Sequence, residues 1–95
     1  MPIGERAVHR NIFLTATQEQ ISPVNPARRY LLIVNDSDTV AYLALGIPAV
    51  ANQGIRLNAS GGSYEINFTN PFTGAIHAIS LGATKKLMVT EISYA

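Results

Sequence analysis

The residues that could bind a metal ion are few and lie far apart in this chain. The two histidines are His9 and His77, and no spacing in the sequence gives them the several convergent ligands that a metal site needs. Asp36 and Asp38 form a segment similar to a calcium loop, but the glycine and the distant glutamate of such a loop are missing. We therefore predict a strand residue at His77, an acidic turn at residues 36–38, and no metal or cofactor.

Carboxylates and tyrosines offer two other kinds of chemistry. Glu65 and Glu91 could meet across strands as a pair for glycoside hydrolysis, although nothing in the sequence fixes their separation. Tyr30, Tyr42 and Tyr64 could stack on a sugar or a base, but their positions suit a core or a subunit contact better. The chain has no nucleophile elbow, phosphate loop or dinucleotide fingerprint. We predict that the protein is not an enzyme and has no catalytic residue.

The composition favours a small domain that contacts other subunits. The chain has 95 residues and no cysteine, so it forms one domain without a disulfide or a thiolate metal site. Only 14% of its residues are charged, against about 25% in an average soluble domain, while 47% are hydrophobic. Either subunit contacts hide much of the surface, which we favour, or the surface is polar and uncharged. A net charge of +1 argues against nucleic-acid binding, and no stretch is long and apolar enough to predict a membrane span or a signal peptide.

The elements that would position these residues are short strands. Residues 28–35 (RRYLLIVN) are apolar on both parities between Pro26 and an Asn/Asp turn, which predicts a central strand buried on both faces. Residues 35–39 are expected to form a hairpin loop into a return strand at residues 40–45. Tyr64, Ile66 and Phe68 alternate with polar residues, as in a half-buried strand.

Further β-rich runs complete the all-β prediction. Turn residues recur about every eight to twelve positions, a spacing typical of a sandwich, jelly roll or small barrel. We predict seven or eight short strands in a small antiparallel β-sandwich or jelly-roll-like domain at residues 11–95. Residues 1–10 show no periodicity and are expected to be an N-terminal arm that becomes ordered on a neighbouring subunit.

Three features of this β-rich region occur together. They are the segment SPVNPARRYLLIVN at residues 22–35, an Ile-Arg-Leu strand at 55–57 followed by Gly61-Gly62, and the segment TGAIHAIS at 73–80. With them, residues 21–92 resemble small accessory virion proteins of tailed phages. The resemblance implies a small β-sandwich or jelly-roll module that sits on a protein shell or cements it. Decoration proteins, head-fibre bases and tail accessories share the pattern, and the short arm argues against an elongated fibre.

The function implied by the resemblance is that of a bacteriophage virion structural protein. We expect a capsid decoration or cement protein, a minor capsid protein that stabilises the head shell through non-covalent contacts. One alternative is a head–tail or tail accessory or adaptor; another is a carbohydrate-binding module, with exposed tyrosines or Phe72 as its stacking platform. The expected partners are the major capsid protein or other virion proteins and further copies of the chain, with a trimer favoured. The expected location is the capsid surface of a virion assembled in the host cytoplasm.

The interface candidates are one isoleucine and several arginines and aromatic residues in the predicted arm, at strand ends and in turns. They are Ile3, Arg6, Arg10, Phe13, Arg28, Arg29, Phe72 and Tyr94.

Overall fold

The chain folds as one long antiparallel ribbon wrapped into two sheets. The computed structural model describes residues 4–94. Its strands are β1 (Glu5–Leu14), β2 (Glu19–Ser22), β3 (Arg28–Asn35), β4 (Ala41–Leu45), β5 (Ile55–Leu57), β6 (Ser63–Ile66), β7 (Ile76–Ser80) and β8 (Lys85–Tyr94).

The pairing of these strands defines the topology. β1 pairs with β8, β2 with β7, β3 with β6 and β4 with β5, all antiparallel. Further pairs, β3 with β8 and β4 with β7, complete two four-stranded sheets. Sheet A has the order β1-β8-β3-β6 and sheet B the order β2-β7-β4-β5. This is the topology of an eight-stranded jelly roll, so the predicted all-β antiparallel sandwich is confirmed.

The core lies between the two sheets. Leu31 and Ile33 of β3 are fully buried there, as is Leu87 of β8, and they pack in one cluster with Leu43 of β4 and Ile76 of β7. Successive side chains of a strand point to opposite faces, so every second residue of these strands enters the core.

The N-terminal segment belongs to the sandwich. Residues 5–10, predicted to be part of an arm, are the first part of β1, which pairs with β8 from Glu5 opposite Tyr94 to Leu14 opposite Lys85. Of the remaining predicted arm residues, Gly4 is exposed and precedes β1, and residues 1–3 lie outside the described part of the chain. A boundary between arm and domain at residue 10 was therefore wrong, because β8 provides these residues with a full-length strand partner.

The connection after β3 also differs from its prediction. β3 lies in sheet A and β4 in sheet B, so residues 35–39 cross between sheets instead of closing a hairpin. The Asn35 amide is buried and donates hydrogen bonds to the carbonyls of Thr39 (2.8 Å) and Leu57 (3.1 Å). The Ser37 hydroxyl donates to Asn35 Oδ1 at 2.7 Å. Short polar side chains stabilise this turn, as expected, but it directs the chain to the other sheet.

Phe68 is not the inward-facing strand residue that the alternation predicted. β6 ends at Ile66, and a turn of side-chain hydrogen bonds follows. The Asn67 N–H donates to Asn70 Oδ1 (2.9 Å), the Thr69 N–H donates to Asn67 Oδ1 (2.8 Å), and Asn70 Nδ2 donates to the Glu65 carbonyl (2.8 Å). Asparagine side chains compete here with the ladder bonds of a strand. They leave Phe68 89% exposed.

Candidate functional site

A β-bulge at the start of β3 sends two adjacent arginines in opposite directions. Arg28 lies opposite Ser93 and Tyr30 opposite Ile92, so Arg29 is the extra residue of the bulge. The bulge changes the alternation, because it lets Arg28 point to the interior with Leu31. Arg29 and Tyr30 both lie on the outer face of sheet A.

Arg28 is the centre of a buried polar cluster. Its side chain is 0% exposed. Arg28 Nε donates to Glu91 Oε2 at 2.7 Å, and its two terminal nitrogens donate to the carbonyls of Pro23 (2.9 Å), Gly74 (2.9 Å) and Phe72 (3.1 Å). These bonds join the segments before β3 and before β7 to the sheet. Four of its five N–H groups are used inside the protein and the side chain does not reach solvent, so the cluster is structural.

Glu91 of β8 balances the charge of Arg28. It also accepts hydrogen bonds from Asn25 Nδ2 (3.2 Å) and Arg10 Nη1 (3.3 Å), and Arg10 Nη2 donates to Ser22 Oγ at 2.7 Å. Burial of the Glu91 carboxylate acts to raise its pKa, but the bonds from Arg28, Asn25 and Arg10 outweigh burial and hold the pKa below its ordinary value.

Stability should therefore decrease in acid through Glu91. Its pKa is lower in the folded protein than in the unfolded chain, so its contribution is complete above the unfolded value of about 4.3 and is lost as the pH falls through the folded value. We expect urea midpoints to fall as the pH is lowered from about 6 to about 3, and to fall less steeply in Glu91→Gln.

Comparing the pH profiles of the native protein and Glu91→Gln separates the contribution of Glu91 from that of the other carboxylates. Asp38 also has a lowered pKa, because Lys85 donates a hydrogen bond to it, but Asp38 is exposed and is present in both proteins. Parallel pH profiles for the two proteins would contradict the role assigned to Glu91.

The outer face of sheet A carries an uncovered apolar strip. On β3 and β8, Leu32 lies opposite Thr90 and Val34 opposite Met88, all on this outer face. Phe13 of β1 lies beside Lys86 and is 54% exposed, and Met88 is 36% exposed. We define the outer strip as Phe13, Leu32, Val34 and Met88. No described element of the chain packs over it, so β3, predicted to be buried on both faces, is buried on its inner face and only half-buried on the other.

β1 is the long open edge of sheet A. It has ten residues, pairs only with β8 among the described strands, and leaves its other side to solvent. Unpaired N–H and C=O groups along such an edge can accept a strand from another chain.

An aromatic groove lies at the other end of the outer face from Phe13. Its cavity of about 280 Å³ is lined by Tyr30, Phe68 and Tyr94, together with Glu5, Arg29, Asn67 and Ile92. The Arg29 guanidinium lies 5.3 Å from the centre of the Tyr94 ring and forms an ion pair with Glu5. The Tyr30 hydroxyl donates to Glu65 Oε2 at 2.5 Å, and this bond raises the pKa of Tyr30 above its ordinary value.

The residues considered for metal or glycoside chemistry are not brought together. His77 Nδ1 lies 3.2 Å from Gln18 Oε1, and His9 Nδ1 lies 2.9 Å from Thr90 Oγ1. Glu65 and Glu91 lie on opposite faces of sheet A. Asp36 and Asp38 each form an ion pair with a lysine at the start of β8. Within residues 4–94, no group of three or more histidines and carboxylates is placed to hold a metal ion.

The three tyrosines predicted as a set are separated. Tyr30 lies on the outer face of sheet A, and Tyr64 packs against the core. Tyr42 is buried on sheet B and donates a hydrogen bond to Asn52 Oδ1 at 3.0 Å. Two of them are therefore structural, and only Tyr30 reaches a groove.

Two of the proposed interface residues are unsuitable for contact with a partner. Arg28 is buried, and its guanidinium donates to Glu91 and three carbonyls of the same chain. Phe72 packs against the core, and a Cβ atom on Gly74 would lie 2.6 Å from its ring, so it offers no open stacking platform.

The other proposed interface residues within the described part of the chain lie at the surface. Arg6 is exposed on β1, Arg10 is partly exposed and bonded to Glu91, and Phe13 lies in the outer strip. Arg29 and Tyr94 line the aromatic groove. Ile3 lies outside the described residues.

Sequence reasoning missed Phe68 and Met88 as surface residues. Apolar and polar residues alternate in the same way whether or not another layer of the structure covers the apolar ones. The alternation therefore does not predict exposure. The Asn-Phe-Thr-Asn stretch around Phe68 was the available signal, because asparagines on both sides of one aromatic residue favour a turn.

Comparison with known proteins supports the fold. No protein-family model matches the chain, and no curated protein is similar to it in sequence. Its structure is similar to that of a chain from Bacillus endospore appendages, described as a novel family of disulfide-linked pili. The TM-score is 0.63 at 16% identity, over 98% of this chain and 88% of that chain. At this identity the likeness shows a shared fold and no more. No helix within residues 4–94 is long and apolar enough to cross a membrane.

Proposed function

We propose that this protein is a structural subunit of a bacteriophage virion, a capsid decoration or cement protein that acts without catalysis. The observation that carries the structural role is the outer strip, an apolar surface on the outer face of sheet A that no described element covers. The virion assignment is supported by the resemblance of residues 21–92 to small phage accessory proteins.

The contacts would combine two surfaces of the same sheet. The outer strip would bury apolar side chains against another copy of the chain, in a homo-oligomer for which we favour a trimer. The open edge of β1 would pair with a strand of the major capsid protein or another virion protein. Subunits bound only to the folded state would stabilise both the subunit and the shell by mass action.

The charge distribution is compatible with such contacts. No charged side chain belongs to the outer strip itself. Lys86, beside Phe13, forms an ion pair with Asp36 at 3.5 Å. Glu65, opposite Leu32, accepts hydrogen bonds from the Tyr30 hydroxyl and from Asn67 Nδ2. This chain cannot form disulfide links like those named for the pili of the structural neighbour, since it has no cysteine.

The test is the copy number of the chain in purified particles of the phage that encodes it. Quantitative mass spectrometry against the major capsid protein should give a ratio near one or a simple fraction of it. A ratio of a few per cent or less would favour the alternative, a ring-forming head–tail or tail accessory. Absence from particles would overturn the virion assignment.

A further inference from the structure

We propose that the aromatic groove binds an uncharged saccharide ring. The groove is lined by Tyr30, Phe68 and Tyr94 with polar groups at its rim. It lies at the end of sheet A where Glu5 is paired with Tyr94, whereas the outer strip begins at the other end, at Phe13. The inference therefore does not rest on the proposed assembly role.

The charges of the groove favour a neutral ligand. Arg29 is neutralised by its ion pair with Glu5 and by its position over the Tyr94 ring, and Glu65 accepts the hydrogen bond of the Tyr30 hydroxyl. An anionic ligand would have to displace Glu5 from Arg29, and a cationic ligand would have to displace Arg29 from Glu5. An uncharged ligand can bind while both pairs remain.

The chemistry of the walls matches an amphiphilic ring. The aromatic surface comes from Phe68, which is 89% exposed, and from Tyr94, which is 51% exposed and has the Arg29 guanidinium over one face of its ring. The ion-paired side chains of Arg29 and Glu5 lie at the rim of the same cavity, together with Asn67, whose amide has one N–H left after its bonds within the turn. A pyranose has an apolar C–H face that can pack on aromatic rings and a rim of hydroxyls that can bond to these groups. The cavity of about 280 Å³ is close to the lower limit of small-molecule sites, which suits one or two sugar rings.

The turn that carries Phe68 is held by side-chain hydrogen bonds on both sides of that residue. Besides the bonds of the turn, the Thr69 hydroxyl donates to Asn67 Oδ1 at 2.6 Å and Asn67 Nδ2 donates to Glu65 Oε1 at 3.0 Å. A preorganised turn backbone reduces the entropy lost when a ligand packs on the residue that it carries.

The test is a titration of the full chain with simple sugars. Binding is monitored through the amide chemical shifts in two-dimensional NMR spectra. The probes are the methyl pyranosides of glucose, galactose, mannose and N-acetylglucosamine, because an open groove of this size is expected to bind a single ring with a Kd of about 1–10 mM. At least one probe should shift the amides of residues 29–30, 67–68 and 92–94 in a saturable manner. Tyr94→Ala and Phe68→Ala should each weaken that binding about tenfold or more.

Phe13→Ala is the matched control, since it removes an exposed aromatic ring from the same sheet outside the groove, and it should leave binding unchanged. The inference is overturned if none of the probes causes saturable shifts, or if binding survives in both groove variants. It is also overturned if the groove amides shift with protein concentration alone, because a second copy then occupies the groove.

Discussion

Replacing Glu91 by alanine is expected to lower the free energy of unfolding by about 3–5 kcal/mol. The substitution leaves the Arg28 guanidinium, whose side chain is 0% exposed, without its counter-charge. It also removes an acceptor from Asn25 and Arg10. Breaking one partner of a buried ion pair costs this much because the remaining charge stays in a medium that solvates it poorly. Equilibrium unfolding in urea measures the change.

The matched control is Asp36→Ala, which breaks the ion pair between Asp36 and Lys86 on the surface. We expect a change of at most about 1 kcal/mol there, since exposed ion pairs contribute little. A loss in Glu91→Ala no larger than in Asp36→Ala would contradict the role of the buried cluster.

A double variant separates the charge of Arg28 from its hydrogen bonds. In Arg28→Met/Glu91→Leu no buried charge is left unpaired, but the carbonyls of Pro23, Phe72 and Gly74 lose their donor. Each buried carbonyl without a partner costs about 1–3 kcal/mol, so we expect the double variant to remain less stable than the native protein. Full recovery of stability would show that the backbone bonds of Arg28 contribute nothing.

Most of the strands could be predicted from the sequence, because alternation and turn residues are local signals, but residues 5–10 of β1 were predicted as an arm. The segment at residues 28–35 was predicted with the bounds that the structure shows for β3. The roles of Arg28 and Arg29 could not be predicted. Simple alternation places Arg28 on the outer face with Tyr30, and only the bulge, which depends on pairing with β8, reverses the two arginines.

Two further differences between the predicted and the observed structure also arise from tertiary packing. An apolar run such as Leu31–Val34 does not show how many layers cover it, so burial on both faces was predicted where the chain supplies one covering sheet. The turn chemistry at Asn35 predicted a turn correctly but not its direction, because the same side-chain bonds can close a hairpin or join two sheets. The partner of β1 is likewise distant in the sequence.

Introducing lysine into the outer strip is expected to abolish self-association. We expect the native chain to form a homo-oligomer in sedimentation velocity and light scattering, and Phe13→Lys/Met88→Lys to be monomeric at the same concentration. Both side chains are substantially exposed in the single chain, so lysine can be accommodated without loss of the fold. In an oligomer, the same lysines would be buried without a counter-charge. Disruption of contacts at the centre of such an interface weakens association by at least about 30-fold, or about 2 kcal/mol.

Ile47→Lys provides the control for this variant. Ile47 is 64% exposed, as large and apolar as Met88, but it lies in the connection between β4 and β5 beside sheet B. We expect it to leave the oligomer intact. If Ile47→Lys dissociates the oligomer while the strip variant does not, the subunits meet through sheet B. If the native chain is monomeric at every concentration, the outer strip does not join copies of this chain. The assembly role would then depend on the open edge of β1 alone.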